Sequence, residues 1–214
     1  MRKDVYDGQK VYTPLTLPFY NTVLYFNNAA FWKVDENSFV KLYRENLTTT
    51  HLDIGVGTGR LIRKANPPPF RRLALADINV NSLNETQRNL ADCRPETFQV
   101  NALEDMDIPG LFSSVGCTYL LHCIPGAGFR GKAAVFANAH KLLEPGGVFF
   151  GASICGKDIG QFDRGYLNNR LYNKLGWFHN IDDSAQELQD VLRAQFSEVE
   201  VNKIGEVAFF KARK

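Results

Sequence analysis

From residue 49 onward, apolar residues alternate between two spacings. Short continuous runs give way to stretches where apolar positions return every three or four residues. The runs predict strands at 49–54, ending near Asp53, at Leu73–Asp77, Thr97–Val100, Ser114–Tyr119 and 148–154, with two more near 197–202 and 206–211. The helical spacing predicts a helix capped by Asp35 and reaching about Leu47, with Phe39, Leu42 and Tyr43 on one face. Further helices are predicted at Gly59–Ala65, after a Ser82-x-x-Glu85 capping box, at 131–143, at 163–175 and after a second box, Ser184-x-x-Glu187.

Strands alternating with helices predict an α/β fold, a parallel sheet with helices on both faces. Pro145-Gly146-Gly147 should end one helix, and the run VFFGASI after it reads as a strand buried on both sides. The last two strands are joined only by Lys203-Ile204-Gly205, which makes an antiparallel hairpin and a mixed sheet. Residues 11–33 are dense in aromatics and interrupted by Pro14 and Pro18, so they read as an irregular helical lead-in. A length of 214 residues favours one domain.

Composition narrows the possibilities. A net charge of +2, with Arg71-Arg72 the densest basic cluster, argues against nucleic acid as a partner. No stretch is apolar enough for a membrane helix, and MRKDVYDGQK has no signal-peptide core. Cys93, Cys117, Cys123 and Cys155 form no C-x-x-C pair and read as reduced thiols of a cytoplasmic protein. Oligomeric state is left open.

The segment HLDIGVGTGR, 51–60, stands where ligands bind in an open α/β sheet, beyond the carboxyl end of a strand. Gly55, Gly57 and Gly59 permit a tight turn and a close-lying ligand, and the following helix start favours an anionic group. A dinucleotide loop, G-x-G-x-x-G, would need glycine where Arg60 stands; the third glycine is one residue early.

Asp53-x-Gly55-x-Gly57-x-Gly59 resembles the nucleoside-binding signature of class I S-adenosylmethionine-dependent methyltransferases. Tyr119–Gly126 is similar to an "LHCLPG"-like segment of small bacterial and fungal members, many linked to natural products. Leu142–Gly147 and GWFHNIDD at 176–183 fit the same group. The resemblance implies a Rossmann-like, doubly wound, seven-stranded mixed sheet with its last strand antiparallel. It implies a single domain over 1–214: a lead-in or lid at 1–48 and a cofactor-binding core at 49–214, with a substrate-wall insert at about 156–183. It implies S-adenosylmethionine as cofactor and S-adenosylhomocysteine as product. Asp77 would then hold both ribose hydroxyls, as a carboxylate can, and Asp53 would stabilise the loop or meet the methionine ammonium. Asn101, Ala102 and Leu103 would line the adenine, with Asn101 standing where the family often has Asp. Asn79 and Leu120, and Tyr12 and Tyr20 from the lead-in, complete the expected cofactor set.

Methyl transfer needs alignment and exclusion of water more than it needs a base. His122 is the candidate base or substrate-orienting group, and packing is its plain alternative. Tyr166, Tyr172 and Trp177 are expected in the substrate wall. No acidic set follows the fourth strand, so no metal is expected. Asn66-Pro-Pro-Pro-Phe70 precedes the second strand and reads as a rigid loop, not as an amino-methyltransferase motif. The expected activity is methyl transfer to a small molecule, with a secondary metabolite as the acceptor. A cofactor-binding protein that catalyses cyclisation or rearrangement, a NAD(P)-dependent reductase and a non-catalytic binding module are the alternatives.

Overall fold

A computed structural model describes residues 27–214. Tyr12 and Tyr20, and most of the lead-in, lie outside the described residues. The described chain opens with a π-helical turn, Asn28–Trp32, and continues into α1 (Glu36–Asn46). Asp35 caps α1 as expected, accepting from the Ser38 N–H at 3.1 Å.

Strands and helices then alternate: β1 (Thr50–Ile54), α2 (Arg60–Ala65), β2 (Arg72–Asp77), α3 (Val80–Asn89), β3 (Glu96–Gln99) and β4 (Phe112–Thr118). They continue as α4 (Ala133–Leu142), β5 (Leu143–Ile154), α5 (Arg164–Lys174), α6 (Ala185–Arg193), β6 (Glu198–Ile204) and β7 (Val207–Arg213). The seven strands form one sheet in the order β3-β2-β1-β4-β5-β7-β6. β1 to β5 pair in parallel, and β7 runs antiparallel between β5 and β6. This is the mixed, doubly wound sheet that the strand–helix alternation implies.

The order of strands places β1 at the centre of the parallel part, where the direction of crossover reverses between β1 and β4. Along β1 the side chains alternate. Leu52 and Ile54 enter a core with Val115, Phe149, Phe136 and Leu188, beneath α4 and α6. His51 and Asp53 point to the opposite face, under α1. A second core, with Tyr43, Ile62, Leu75, Leu83 and Phe150, joins α1, α2 and α3 to that face. A third, rich in aromatics, joins Trp32, Phe39, Tyr119 and Phe209 near the carboxyl ends of β4 and β5.

Three local expectations need correction. The helix after β2 starts at Val80, capped by Asn79, whose Oδ1 accepts from the Asn81 N–H at 2.9 Å; Ser82 is buried inside the first turn and caps nothing. Asn79 is itself a good cap, and the shorter loop lets α3 begin where β2 ends. Pro145-Gly146-Gly147 lies within β5, because α4 already stops at Leu142 and the chain extends from Leu143. The final hairpin turns at Gly205-Glu206, one residue later than expected.

Candidate functional site

The loop between β1 and α2 is shaped by its glycines. Gly55, Gly57 and Gly59 all have positive φ, at 77°, 55° and 70°, a region where other residues are strained. Much of the space beside them belongs to the protein itself. A Cβ at Gly55 would lie 2.8 Å from Leu120 Cβ, and one at Gly59 would lie 2.7 Å from Thr86 Cγ2. The missing side chains therefore serve backbone geometry and close packing as well as any ligand. Leu120 sits directly against the loop, which places a residue expected near the cofactor at its floor.

Asp77 ends β2 beside this loop. Its Oδ2 accepts from the Val56 N–H at 3.0 Å and its Oδ1 from the Asn79 N–H at 2.8 Å. The carboxylate thus links the glycine loop to the start of α3, and each oxygen keeps a second lone pair. Burial pushes its pKa up to about 6, against the pull of the Asn79, Val56 and Ile78 backbone N–H groups. Asp53 stands on the other side of the same loop. It is buried, and Tyr43 donates its hydroxyl to Asp53 Oδ1 at 2.9 Å. In register its neighbours are Leu75 of β2 and Gly116 of β4.

Asn101, after β3, is held locally. Its Oδ1 accepts from the Leu103 N–H at 3.0 Å, and its amide nitrogen donates to Glu104 Oε1 at 2.9 Å. Ala102 is buried with its carbonyl accepting from Asn138, and Leu103 packs at the edge of the main core. Those bonds fix the turn 101–104 beside the carboxyl ends of β2 and β3.

The segment after β4 holds His122. The ring is buried, takes a long 3.5 Å bond at Nδ1 from the Ile154 N–H, and meets Tyr119 and Phe178 edge-on at 5.1 and 4.5 Å. Burial, with the nearby positive charge of Lys132, lowers its pKa to about 3, so the imidazole is neutral at physiological pH. Tyr119 itself was not singled out by sequence. It has φ 62°, unusual for an aromatic residue, and its hydroxyl donates to Asn28 Oδ1 at 2.7 Å. That geometry carries the chain sharply away from β4 towards His122.

Of the residues expected in the substrate wall, Tyr166 and Tyr172 come from α5 and Trp177 follows it. Tyr172 packs on Trp32, Trp177 and Phe178, and its hydroxyl accepts from Asn27 at 3.0 Å. Trp177 is more exposed, and Tyr166 bonds outward to Arg170. Phe178, which sequence reasoning passed over, is the residue that joins Trp32, Tyr172 and His122 into one aromatic group.

Beneath this group lies an ion pair with no sequence signature. Lys132 Nζ meets both Asp183 oxygens, at 2.8 and 2.6 Å, and also the His179 carbonyl at 2.9 Å. Both side chains are 0% exposed. Burial drives the lysine pKa down and, with the nearby Glu187 and Asp182 charges, the aspartate pKa up, and the close contact of the pair opposes both shifts. The pair ties the segment after β4 to the one after α5, while His179 donates its N–H to the His122 carbonyl at 2.7 Å. Among the described residues, no three His, Cys, Asp or Glu side chains gather as a metal site, and no helix is long and apolar enough to cross a membrane.

Known proteins resemble this arrangement. Residues 52–149 match a family described as a methyltransferase domain. Demethylluteothin O-methyltransferase of Streptomyces thioluteus is 32% identical over 98% of this chain and 92% of its own length. The N-methyltransferase vrtF of Penicillium aethiopicum is 35% identical over 80% of this chain and 72% of its own. Among solved structures, PigF bound to S-adenosylhomocysteine shares the fold with a TM-score of 0.69 at 19% identity. It covers 97% of this chain, which spans only 62% of the PigF chain.

Proposed function

The chain belongs to the S-adenosylmethionine-dependent methyltransferases of secondary metabolism, and from that premise we propose how its residues divide the work of moving a methyl group to a small acceptor. The cofactor, when bound, supplies a methyl carbon already activated by its sulfonium. The chain's part is to bind, align and exclude water.

The observation that carries this reading is the pair of carboxylates flanking the glycine loop. Asp77, on the β2 side, can accept from a ribose diol with the lone pairs its backbone donors leave. Asp53, on the β4 side, suits the ammonium of the methionine portion. Gly55, Gly57 and Gly59 let the nucleoside lie close to main chain, and the turn Asn101-Ala102-Leu103, with Asn79 and Leu120, borders the adenine. Since the Asn101 side chain is engaged in its own turn, backbone groups and apolar contact at 101–103 suit that role better than its amide.

Trp32, Tyr119, His122, Tyr172 and Phe178, with Tyr166 and Trp177 at the margin, support an apolar, ring-bearing acceptor held by the insert at about 156–183. His122 is suited to orient that acceptor through a hydrogen bond. A ring with so little proton affinity would not collect a proton at neutral pH, so the acceptor proton is expected to leave to solvent. The same reading takes the protein to act on free small molecules in the cytoplasm, without nucleic acid or membrane, as four free cysteines and the near-neutral charge support.

Calorimetric titration with S-adenosylhomocysteine tests the assignment. Asp77→Ala should weaken binding by roughly 1.5–3 kcal/mol, the scale of lost hydrogen bonds to a charged group. Unchanged affinity would remove Asp77 from the ribose and take the reading with it. Incubation with S-adenosylmethionine and phenolic or amine-bearing natural products, followed by mass spectrometry, then identifies the acceptor as the compound gaining one CH₂.

A further inference from the structure

Asp53 does not lie alone under the sheet. Tyr43, from α1, donates to its Oδ1 at 2.9 Å, and His51 Nε2 lies 3.6 Å from the same oxygen. His51 is 0% exposed, with its Nδ1 2.8 Å from Ser114 Oγ. Ser114 is held in turn by the Thr48 N–H and hydroxyl, at 3.2 and 2.9 Å. The imidazole stacks against Phe150 at 5.7 Å, with an interplanar angle of 23°.

Room for this cluster is built in. A Cβ at Gly116 would stand 2.5 Å from Asp53 Oδ1 and 3.2 Å from the His51 ring. The helix carrying Tyr43 is also fixed to the element that follows the glycine loop. Glu36 in α1 takes the Arg60 Nε at 2.6 Å and the Lys64 ammonium, both in α2. Tyr43 therefore keeps its place relative to the loop.

A buried carboxylate normally finds a cation, because desolvation of an unpaired one is expensive. Among the described residues no lysine or arginine forms an ion pair with Asp53, and Oδ2 takes no hydrogen bond. Oδ1 accepts from the Tyr43 hydroxyl with the His51 ring packed close by, and Oδ2 is left for a charged group arriving at the loop.

Resting on the reading of Asp53 as the acid that meets the ammonium of the cofactor, we propose that Tyr43 and His51 are positioning residues for this carboxylate. They hold it from below, without touching the ligand, and so set affinity for the amino-acid end of the cofactor rather than for its nucleoside end.

The two ends are separable with two probes. S-adenosylhomocysteine carries the amino-acid portion; 5′-methylthioadenosine carries the nucleoside and sulfur without it. Tyr43→Phe removes the hydroxyl alone. It should weaken S-adenosylhomocysteine binding about tenfold, the scale of one hydrogen bond to a charged group. It should leave 5′-methylthioadenosine within about twofold, since that ligand makes no use of Asp53. In an Asp53→Asn background the same substitution should add little. An equal loss for both probes marks a structural role and overturns the proposal, as does an unchanged affinity for S-adenosylhomocysteine. Wild-type protein that binds neither probe overturns the functional reading itself, which separates the two failures. Should Tyr43→Phe melt before it can be titrated, His51→Gln carries the same comparison with the same overturning outcomes.

Discussion

Asp77 is pulled two ways by its surroundings. Burial favours its neutral form and lifts its pKa to about 6, whereas a sugar diol calls for the ionised form. For an acid raised in the folded state, the contribution to stability is complete below about pH 4, the unfolded pKa, and is lost as pH rises through about 6. Ligand affinity runs the other way and should strengthen between about pH 5 and pH 7 as the carboxylate ionises. Titrating S-adenosylhomocysteine across that range should show a midpoint near 6, which Asp77→Asn should flatten. Asp77 stood out in the sequence as the acid closing an apolar run, and its expected role at the ribose came from the family resemblance. The support under Asp53 was not legible there. Tyr43 reads as one apolar-facing helix residue and His51 as one strand residue, and only the packing of α1 on the sheet brings them to the same oxygen. Tyr119 was equally hidden, since nothing in its type foretells a φ of 62°.

Among the elements, helix starts show what local chemistry decides and what it leaves to context. Ser184 and Ser82 both begin an S-x-x-E box. Ser184 accepts from the Glu187 N–H at 3.3 Å and caps α6, but Ser82 is enclosed within α3 because Asn79 reached the cap position first. Only the serine half of that box is made. Glu187 Oε2 accepts from the Phe129 N–H at 3.0 Å and so holds the segment after β4. Ser184→Ala should therefore cost about 1 kcal/mol in urea denaturation, the usual value of a lost cap. The apolar face of α6, with Leu188 and Leu192 fully buried, should keep the helix in place. Strand positions were the most readable elements, since a parallel strand buried on both faces has little freedom in composition. The start of β5 came five residues before the expected 148, because Pro145 and Gly146, residues usually found in turns, were accommodated within the strand.

At the scale of the molecule, the topology follows from strand–helix alternation, but the corner where the segment after β4 meets the one after α5 depends on Lys132 and Asp183, which are 51 residues apart. No spacing rule joins them, and a lone lysine near a glycine reads as solvated. Lys132→Met would leave Asp183 buried without a counter-charge, and thermal or denaturant unfolding should show a loss of about 3–5 kcal/mol. Lys132→Met combined with Asp183→Leu should recover much of it, as replacing a whole buried pair with apolar side chains often does. If the double variant remains as unstable as the single one, the charges matter less than the shape of this corner.

The position of β7 has a consequence for how the protein is made. It follows both β5 and β6 in sequence, yet it occupies the gap between them. During synthesis on the ribosome, β5 must keep a bare edge and β6 must wait without a neighbour until residues 207–213 have emerged. A nascent chain stalled short of that point would expose the unpaired main chain of β5 to any other strand nearby, which makes premature termination here a route to aggregation.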